Sequence, residues 1–298
     1  MVRSSQKIWH SLFLALRPAQ WVKNLFLFLP AFFGREILNP AVFFHNLEAF
    51  FVFCLAASLA YLWNYGVDVE EDRLHPVKKL RPLAAKQISV LQASILATFL
   101  ALALIVWTPR LGTSFSLAIG GYLFFNFLYN SILRKIVILD VFCLAVFFVF
   151  RLAAGSAATQ VELSPWILLM TFLLALFLGF TKRRQELYGT ENQPSARRAV
   201  LKKYTPYFID QMVSVITSSI IVAYLLYTLD ERTVQMFGSQ HLFVTLPFVY
   251  YGIFRYLYLI HARHVEGDPV QIVLTDLPTR INLFLWLVLN MAVIYRGF

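Results

Sequence analysis

Between residues 64 and 82 the chain reads Asn64-Tyr65-Gly66-Val67-Asp68-Val69-Glu70-Glu71-Asp72-Arg73-Leu74-His75-Pro76-Val77-Lys78-Lys79-Leu80-Arg81-Pro82. On a helix Asn64, Asp68 and Asp72 fall four residues apart and line one face. Lys78, Lys79 and Arg81 follow in one short loop. Carboxylates in this arrangement hold Mg²⁺ and adjacent cations hold phosphate, so the chemistry within reach is the handling of a diphosphate. Charge this dense at the edge of an apolar run is costly and reads as functional by default. The competing reading is a solvated loop that obeys the positive-inside rule.

The elements that must carry these residues are membrane helices. Apolar residues make up 59% of the 298, charged residues only 14%, and Phe alone occurs 29 times. A soluble domain carries nearer a quarter charged residues. Nine apolar spans are expected, centred near Phe28, Phe53, Ala97, Leu123, Val146, Leu173, Ile220, Phe248 and Val288. Each has about the 20 apolar residues a crossing needs, with tilt and cavity-facing polar groups allowed. The fold class is therefore all-α: a single polytopic bundle over 1–298, nine helices around a central cavity open to the cytoplasm. Residues 1–20 form an interfacial segment, because Ile8, Trp9, Leu12, Phe13 and Leu16 share one side of a helix. No cleavable signal peptide is read in that stretch.

The net charge of +10 is an orientation signal and not a nucleic-acid footprint. With the N-terminus inside, 21 of the 26 Lys and Arg lie on the cytoplasmic side. The bias predicts a multi-pass inner-membrane protein with a cytoplasmic N-terminus, an outside C-terminus and a site facing the cytoplasm. Cys54 and Cys143 lie in apolar runs and read as buried free thiols.

The remaining motif-like clusters gather on that side too. Tyr129 to Asp140 lies in a short turn, Lys182-Arg183-Arg184-Gln185-Glu186-Leu187 follows the sixth span, and Gly267-Asp268-Pro269 to Asp276 precedes the ninth. Lys182 and Tyr129 become candidate phosphate contacts by their place at the cavity mouth, Tyr129 also reading as an interface residue. Arg151 is the one charge near the middle of an apolar run. It lies about three turns from Asp140 and within ~20° of the same face, and must face the bundle interior. There it either anchors a phosphate or pairs with a carboxylate, and Asp140 is a supporting candidate. Arg197, Arg198, Lys202 and Lys203 read as a basic surface beside anionic headgroups.

Asn64-x-x-x-Asp68-x-x-x-Asp72 resembles the first aspartate-rich motif of the UbiA superfamily of intramembrane prenyltransferases. Leu16-Arg17-Pro18-Ala19-Gln20-Trp21-Val22-Lys23-Asn24 is similar to the polyprenyl-phosphate phosphoribosyltransferase branch. So is Asp68-Val69-Glu70-x-Asp72-Arg73-x-His75-Pro76-x-Lys78-x-x-Arg81-Pro82, and the later motifs extend the likeness from roughly Leu16 to Asp276. The resemblance implies a nine-helix bundle, Mg²⁺, cytosolic phosphoribosyl diphosphate and a membrane-embedded polyprenyl phosphate of decaprenyl type, in the making of cell-envelope glycan precursors. It implies that Asn64, Asp68 and Asp72 hold the Mg²⁺–diphosphate, and that Lys23, Lys78, Arg81, Arg134 and Lys182 contact phosphates.

Two positions depart from the family. Tyr65 stands where it usually has aspartate, so one potential metal ligand is missing; on a helical wheel Tyr65 is placed toward the cavity, where it either donates a hydrogen bond to diphosphate or marks weaker Mg²⁺ binding, a different donor or lost activity. Arg134 stands where lysine is usual, and both hold phosphate. Glu70, Glu71 and Glu186 are candidates for the ribose hydroxyls. Two alternatives remain: an aromatic prenyltransferase using a polyprenyl diphosphate, and a non-catalytic lipid-phosphate carrier. The first normally needs a second aspartate pair after the sixth span, where this chain is basic; the second should show polar access on both faces. No nucleic-acid partner is expected, and the pattern is compatible with a homo-oligomer.

Overall fold

The computed structural model describes residues 2–74, 78–189, 199–262 and 269–296; all regular structure among them is helical. The chain divides into two compact units.

The first unit comprises residues 1–134 and 147–163. It holds α1 (Val2–Ala15), a 3₁₀ segment (Pro18–Phe28), α2 (Leu29–Phe33), α3 (Pro40–Val67), α4 (Val69–Leu74), α5 (Val90–Trp107) and α6 (Thr113–Ser131). The later turns of α7 (Leu139–Thr159) complete it. Helix α3 is its axis, packing against α5, α6 and the 3₁₀ segment. Asn39 caps α3 by accepting from the Ala41 N–H at 3.1 Å, and Pro40 supplies a preset φ at the first turn. A reciprocal capping box between Ser89 and Gln92 starts α5. The interior of α3 is rich in small residues, Ala49, Ala56, Ala57 and Ser58 all being buried, so neighbouring backbones approach closely.

The apolar stretch around Phe28 is not one long α-helix. Pro30 has no N–H to give the Phe26 carbonyl, so the α ladder cannot run through it. The chain uses the tighter 3₁₀ winding up to Phe28 and a short α2 after it. Gly155 of α7 is what admits this segment. A Cβ there would sit 2.1 Å from the Leu27 carbonyl oxygen, and a backbone atom cannot rotate aside. Gly155→Ala should therefore cost about 1–3 kcal/mol in denaturant unfolding of the detergent-solubilised chain. Gly120→Ala, where a Cβ meets nothing within 4 Å, should cost nothing.

The second unit comprises residues 135–146 and 164–298. It contains the first turns of α7, then α8 (Pro165–Gly189), α9 (Pro206–Leu229), α10 (Glu231–Phe237), α11 (Leu246–His261), α12 (Pro269–Thr275) and α13 (Leu277–Arg296). Helices α8 and α9 pack along each other, as do α11 and α13. A buried polar cluster links α9 to α13 and to the turn before α11: Tyr224 hydroxyl meets Thr245 Oγ1 at 2.7 Å and accepts from Trp286 Nε1 at 3.1 Å. Asp276 caps α13 through the Thr279 N–H and hydroxyl, and Arg255 grips it with two guanidinium nitrogens. That grip holds the Asp276 carboxyl well below the usual carboxylate range.

Seven helices among the described residues are long and apolar enough to cross a membrane: α3, α5 with its 3₁₀ extension, α7, α8, α9, α11 with its preceding turn, and α13. Helix α6, one of the nine expected spans, carries Tyr122, Asn126, Tyr129 and Asn130 along its 19 residues. Its two amides are satisfied on its own backbone, Asn126 donating to Tyr122 and Asn130 to Asn126.

Candidate active site

Helix α3 delivers Asn64 and stops at Val67; Asp68 sits at the break with φ −97° and ψ 8°, and α4 then carries Asp72. The break costs no register. Asp68 donates its N–H to the Asn64 carbonyl at 2.9 Å, and Asp72 donates to Asp68 at 2.8 Å. The four-residue ladder expected of one continuous helix thus survives the interruption.

Each carboxylate meets an arginine from elsewhere in the first unit. Arg134, just beyond α6, closes a two-pronged contact on Asp68, Nη1 donating to Oδ2 at 2.9 Å and Nη2 lying 2.8 Å from Oδ1. The Asp68 hydrogen bond raises the proton affinity of Arg134 further. Arg81 Nη1 donates to Asp72 Oδ2 at 2.6 Å, and Asp72 is buried. Asn64 Oδ1 and Asp68 Oδ1 are both buried and accept no hydrogen bond.

Tyr65 corrects an expectation. It packs in the core with Leu62, Leu83, Ile88 and Ala93 and is 5% exposed. Arg81 lies 5.1 Å above its ring centroid and Arg17 5.8 Å away. The Tyr65 ring is therefore an apolar platform under the arginine of Asp72. Arg17 also covers Tyr61 at 4.6 Å.

Of the other expected residues in this unit, Lys78 is half-buried in a 3₁₀ turn whose carbonyl accepts from Arg81 N–H. Lys23 is half-buried on the 3₁₀ segment. Glu70 lies at the surface, paired with Arg73 at 2.6 Å. Tyr129 is buried on α6 with its ring edge-on to Phe147. His75 and Pro76 lie outside the described residues. Arg151 meets an amide and a backbone carbonyl and not a carboxylate. Its Nε donates to Asn24 Oδ1 at 2.9 Å and its Nη1 to the Phe147 carbonyl at 2.7 Å, with the rings of Phe53, Tyr122 and Phe148 around it. Asn24 in turn donates to Cys54. Arg151 thus staples the 3₁₀ segment to α3 and α7.

In the second unit Asp140 is fully buried and both its oxygens are taken. Arg183 Nε donates to one at 2.8 Å and the Tyr204 hydroxyl to the other at 2.6 Å. The Tyr204 oxygen accepts from the Ile138 N–H at 2.7 Å. Burial first, and then the Asp140 hydrogen bond, push the Tyr204 hydroxyl well above the ordinary tyrosine range, so it stays a donor. Arg183 Nη1 also meets Glu186 at 2.6 Å. Asp140 and Glu186, expected near substrate, are partners of a buried arginine. Lys182 is half-buried one residue before it. Gly267 and Asp268 lie outside the described residues. Sequence reasoning passed over Asn24, Arg183 and Tyr204 as individual residues; Arg183 was visible only inside its motif, and Tyr204 carried no signal.

Comparison with known proteins decides the family. The sequence model of the UbiA prenyltransferase family matches residues 25–288. This chain belongs to that family. It resembles the decaprenyl-phosphate phosphoribosyltransferase of Mycolicibacterium smegmatis, with 31% identity covering 94% of this chain and 91% of the relative. The protein of the same name from Corynebacterium glutamicum is 30% identical, with 94% and 86% covered. Among solved structures, a UbiA homolog from Archaeoglobus fulgidus bound to GPP and Mg²⁺ superposes with a TM-score of 0.71 at 20% identity, over 95% of this chain and 99% of that one. The same homolog has also been solved bound to Cd²⁺. At this identity the likeness establishes the fold: the chain is a multi-pass membrane protein with a UbiA-like helical fold, and a transferase of that family.

The side chains of this UbiA site suit a hard divalent cation. Asp68, Asp72 and the unpartnered Asn64 Oδ1 are all oxygen donors. Among the described residues no three His, Cys, Asp or Glu side chains form a ready-made cage. A metal held by these three oxygens would complete its shell with water and substrate oxygens, which is how Mg²⁺ is ordinarily held beside phosphates.

Proposed function

We propose that this UbiA protein transfers 5-phosphoribose from phosphoribosyl diphosphate to a polyprenyl phosphate, releasing diphosphate, in the supply of a cell-envelope glycan precursor. The observation that carries the reading is the Asn64, Asp68, Asp72 ladder with Arg81 and Arg134 upon it, in a chain whose relatives bear the phosphoribosyltransferase name. Asn64, Asp68 and Asp72 would hold Mg²⁺, which when bound would neutralise charge developing on the leaving diphosphate.

The protein's own groups do the rest. Arg81 and Arg134 present planar guanidinium groups that match phosphate oxygens, and Tyr65 keeps Arg81 oriented from below. Lys78 and Lys23 add point charges in the same unit; Lys182 keeps its phosphate assignment on the strength of its motif. The lipid phosphate oxygen is already an anion and attacks ribose C1 without a dedicated base. The C1–O bond to diphosphate breaks as the new C1–O bond forms, with inversion, and no protein acid is needed for a leaving group held by cations. Glu70 remains the exposed candidate for a ribose hydroxyl.

The proposal includes nine crossings with the N-terminus and the site on the cytoplasmic side. Beyond the seven long helices, α6 measures about 28 Å at 1.5 Å per residue. The 3₁₀ segment with α2 measures about 30 Å at 3₁₀ and α rises, close to the thickness of a hydrocarbon core. The strong inside bias of Lys and Arg supports this orientation.

The test is diphosphate release by the purified chain with phosphoribosyl diphosphate, Mg²⁺ and a polyprenyl phosphate. Release that requires all three is the expected result. Release only with a polyprenyl diphosphate and an aromatic acceptor would overturn the proposal.

A further inference from the structure

The carboxylates assigned to the metal are not idle: each is already held by a cation of the protein. Asp68 Oδ2 accepts from Arg134 Nη1, and Arg134 Nη2 lies 2.8 Å from Oδ1 as an ion pair, although Oδ1 is buried and accepts no hydrogen bond. Asp72 Oδ2 is held by Arg81, and the Asp72 side chain is only 4% exposed against 22% for Arg81. Two aspartates and two arginines make a formally neutral set. A Mg²⁺ ion entering alone would have to displace guanidinium groups from carboxylates, leave them without an anion, and add two positive charges to a half-buried place. Strongly hydrated Mg²⁺ gives up its water reluctantly, so nothing favours that exchange. A diphosphate changes the balance, because its oxygens are the other group whose geometry a guanidinium fork matches. The arginines then have an anion to move to, and the carboxylates are released to the metal.

Resting on the reading of this site as a metal–diphosphate centre, we infer that Arg81 and Arg134 are specificity-determining residues that make metal loading depend on diphosphate. They guard the two carboxylates against free cations and turn to the phosphates when the donor arrives. Two local features suit Arg81 to this exchange. The Tyr65 ring lies under its guanidinium independently of Asp72, so one face of the cation stays covered during the move. The Asn64 Oδ1 atom, without a partner, offers the metal its first protein oxygen. Coupling of this kind is reciprocal: diphosphate must tighten metal binding by the same factor as metal tightens diphosphate binding.

The exchange makes opposite-signed demands on one residue, which is what a titration can read. The full chain in detergent is titrated with Mn²⁺ by electron paramagnetic resonance, with and without inorganic diphosphate. The unsubstituted protein should bind Mn²⁺ about tenfold or more tightly once diphosphate is present. Arg134→Gln should bind Mn²⁺ alone about tenfold more tightly than the unsubstituted chain, while losing most of the diphosphate effect. Arg134→Lys keeps the charge without the fork and should fall between. Arg81→Gln carries the same expectation and serves if Arg134→Gln does not yield folded protein, as judged by size-exclusion profile and thermal melting. Folded arginine variants that bind free Mn²⁺ no better than the unsubstituted chain would overturn the inference, as would equal Mn²⁺ affinity with and without diphosphate. Neither result would touch the site assignment, which instead fails if Asp68→Asn leaves Mn²⁺ and diphosphate binding unchanged.

Discussion

Asp68→Ala should lower diphosphate release by a factor of about 10³ or more, with binding of the lipid phosphate little changed. Charge stabilisation at a leaving diphosphate is worth several kcal/mol, and each 1.36 kcal/mol is tenfold in rate. Asp68 sits at the hinge between α3 and α4, where its carboxylate is 19% exposed and reachable from the site. Its loss removes a ligand of the proposed metal and also frees Arg134, whose fork then has no acid to orient it. Asp72→Ala should cost as much in rate and more in stability, because Asp72 is nearly buried and its removal leaves Arg81 against an apolar core. Rate assays at saturating phosphoribosyl diphosphate, set beside thermal melting of each variant, separate the two effects. A rate within tenfold of the unsubstituted chain for folded Asp68→Ala would remove Asp68 from the proposed chemistry.

What the sequence made legible here follows the range of the interaction. The Asn64, Asp68, Asp72 face was readable because it rests on a four-residue period, and the period outlasted a helix break that no residue type announces. Arg81 was visible as a cation beside the diphosphate motif, and Arg134 only through the family resemblance. Their pairing was not, since Arg134 reaches Asp68 across 66 residues. Tyr65 was misplaced because a helical wheel assigns a face but not what packs against it. Leu83, Ile88 and Ala93 come from the next loop and helix and close over the ring. Arg151 was correctly confined to the interior by the cost of a charge in lipid, yet its partner is the amide of Asn24, which no charge pattern signals. Hydropathy likewise marked the Phe28 stretch as apolar but carries no information on whether it winds as α or 3₁₀.

Asp140→Ala should destabilise the chain by about 3 kcal/mol or more, the low end of the 3–5 kcal/mol typical when one partner of a buried pair is removed. Arg183 is 1% exposed, so without Asp140 its charge is left where water cannot reach it. Glu186 still meets its Nη1 and is itself 25% exposed, which is why the cost should not reach the top of that range. Tyr204 loses its acceptor at the same moment, and the Ile138 N–H then holds a hydroxyl with no place to donate. Asp140→Asn should cost less, since the amide oxygen can still accept from one donor. Removing charge from both sides, as Asp140→Leu with Arg183→Met, should recover much of the loss because a buried pair is often no better than apolar packing of similar volume. Denaturant unfolding of the unsubstituted chain, Asp140→Leu, Arg183→Met and the double variant forms a double-mutant cycle whose coupling should exceed about 1 kcal/mol for groups in direct contact. Coupling near zero would mean that Asp140 acts elsewhere, and would return it to the list of residues that touch substrate.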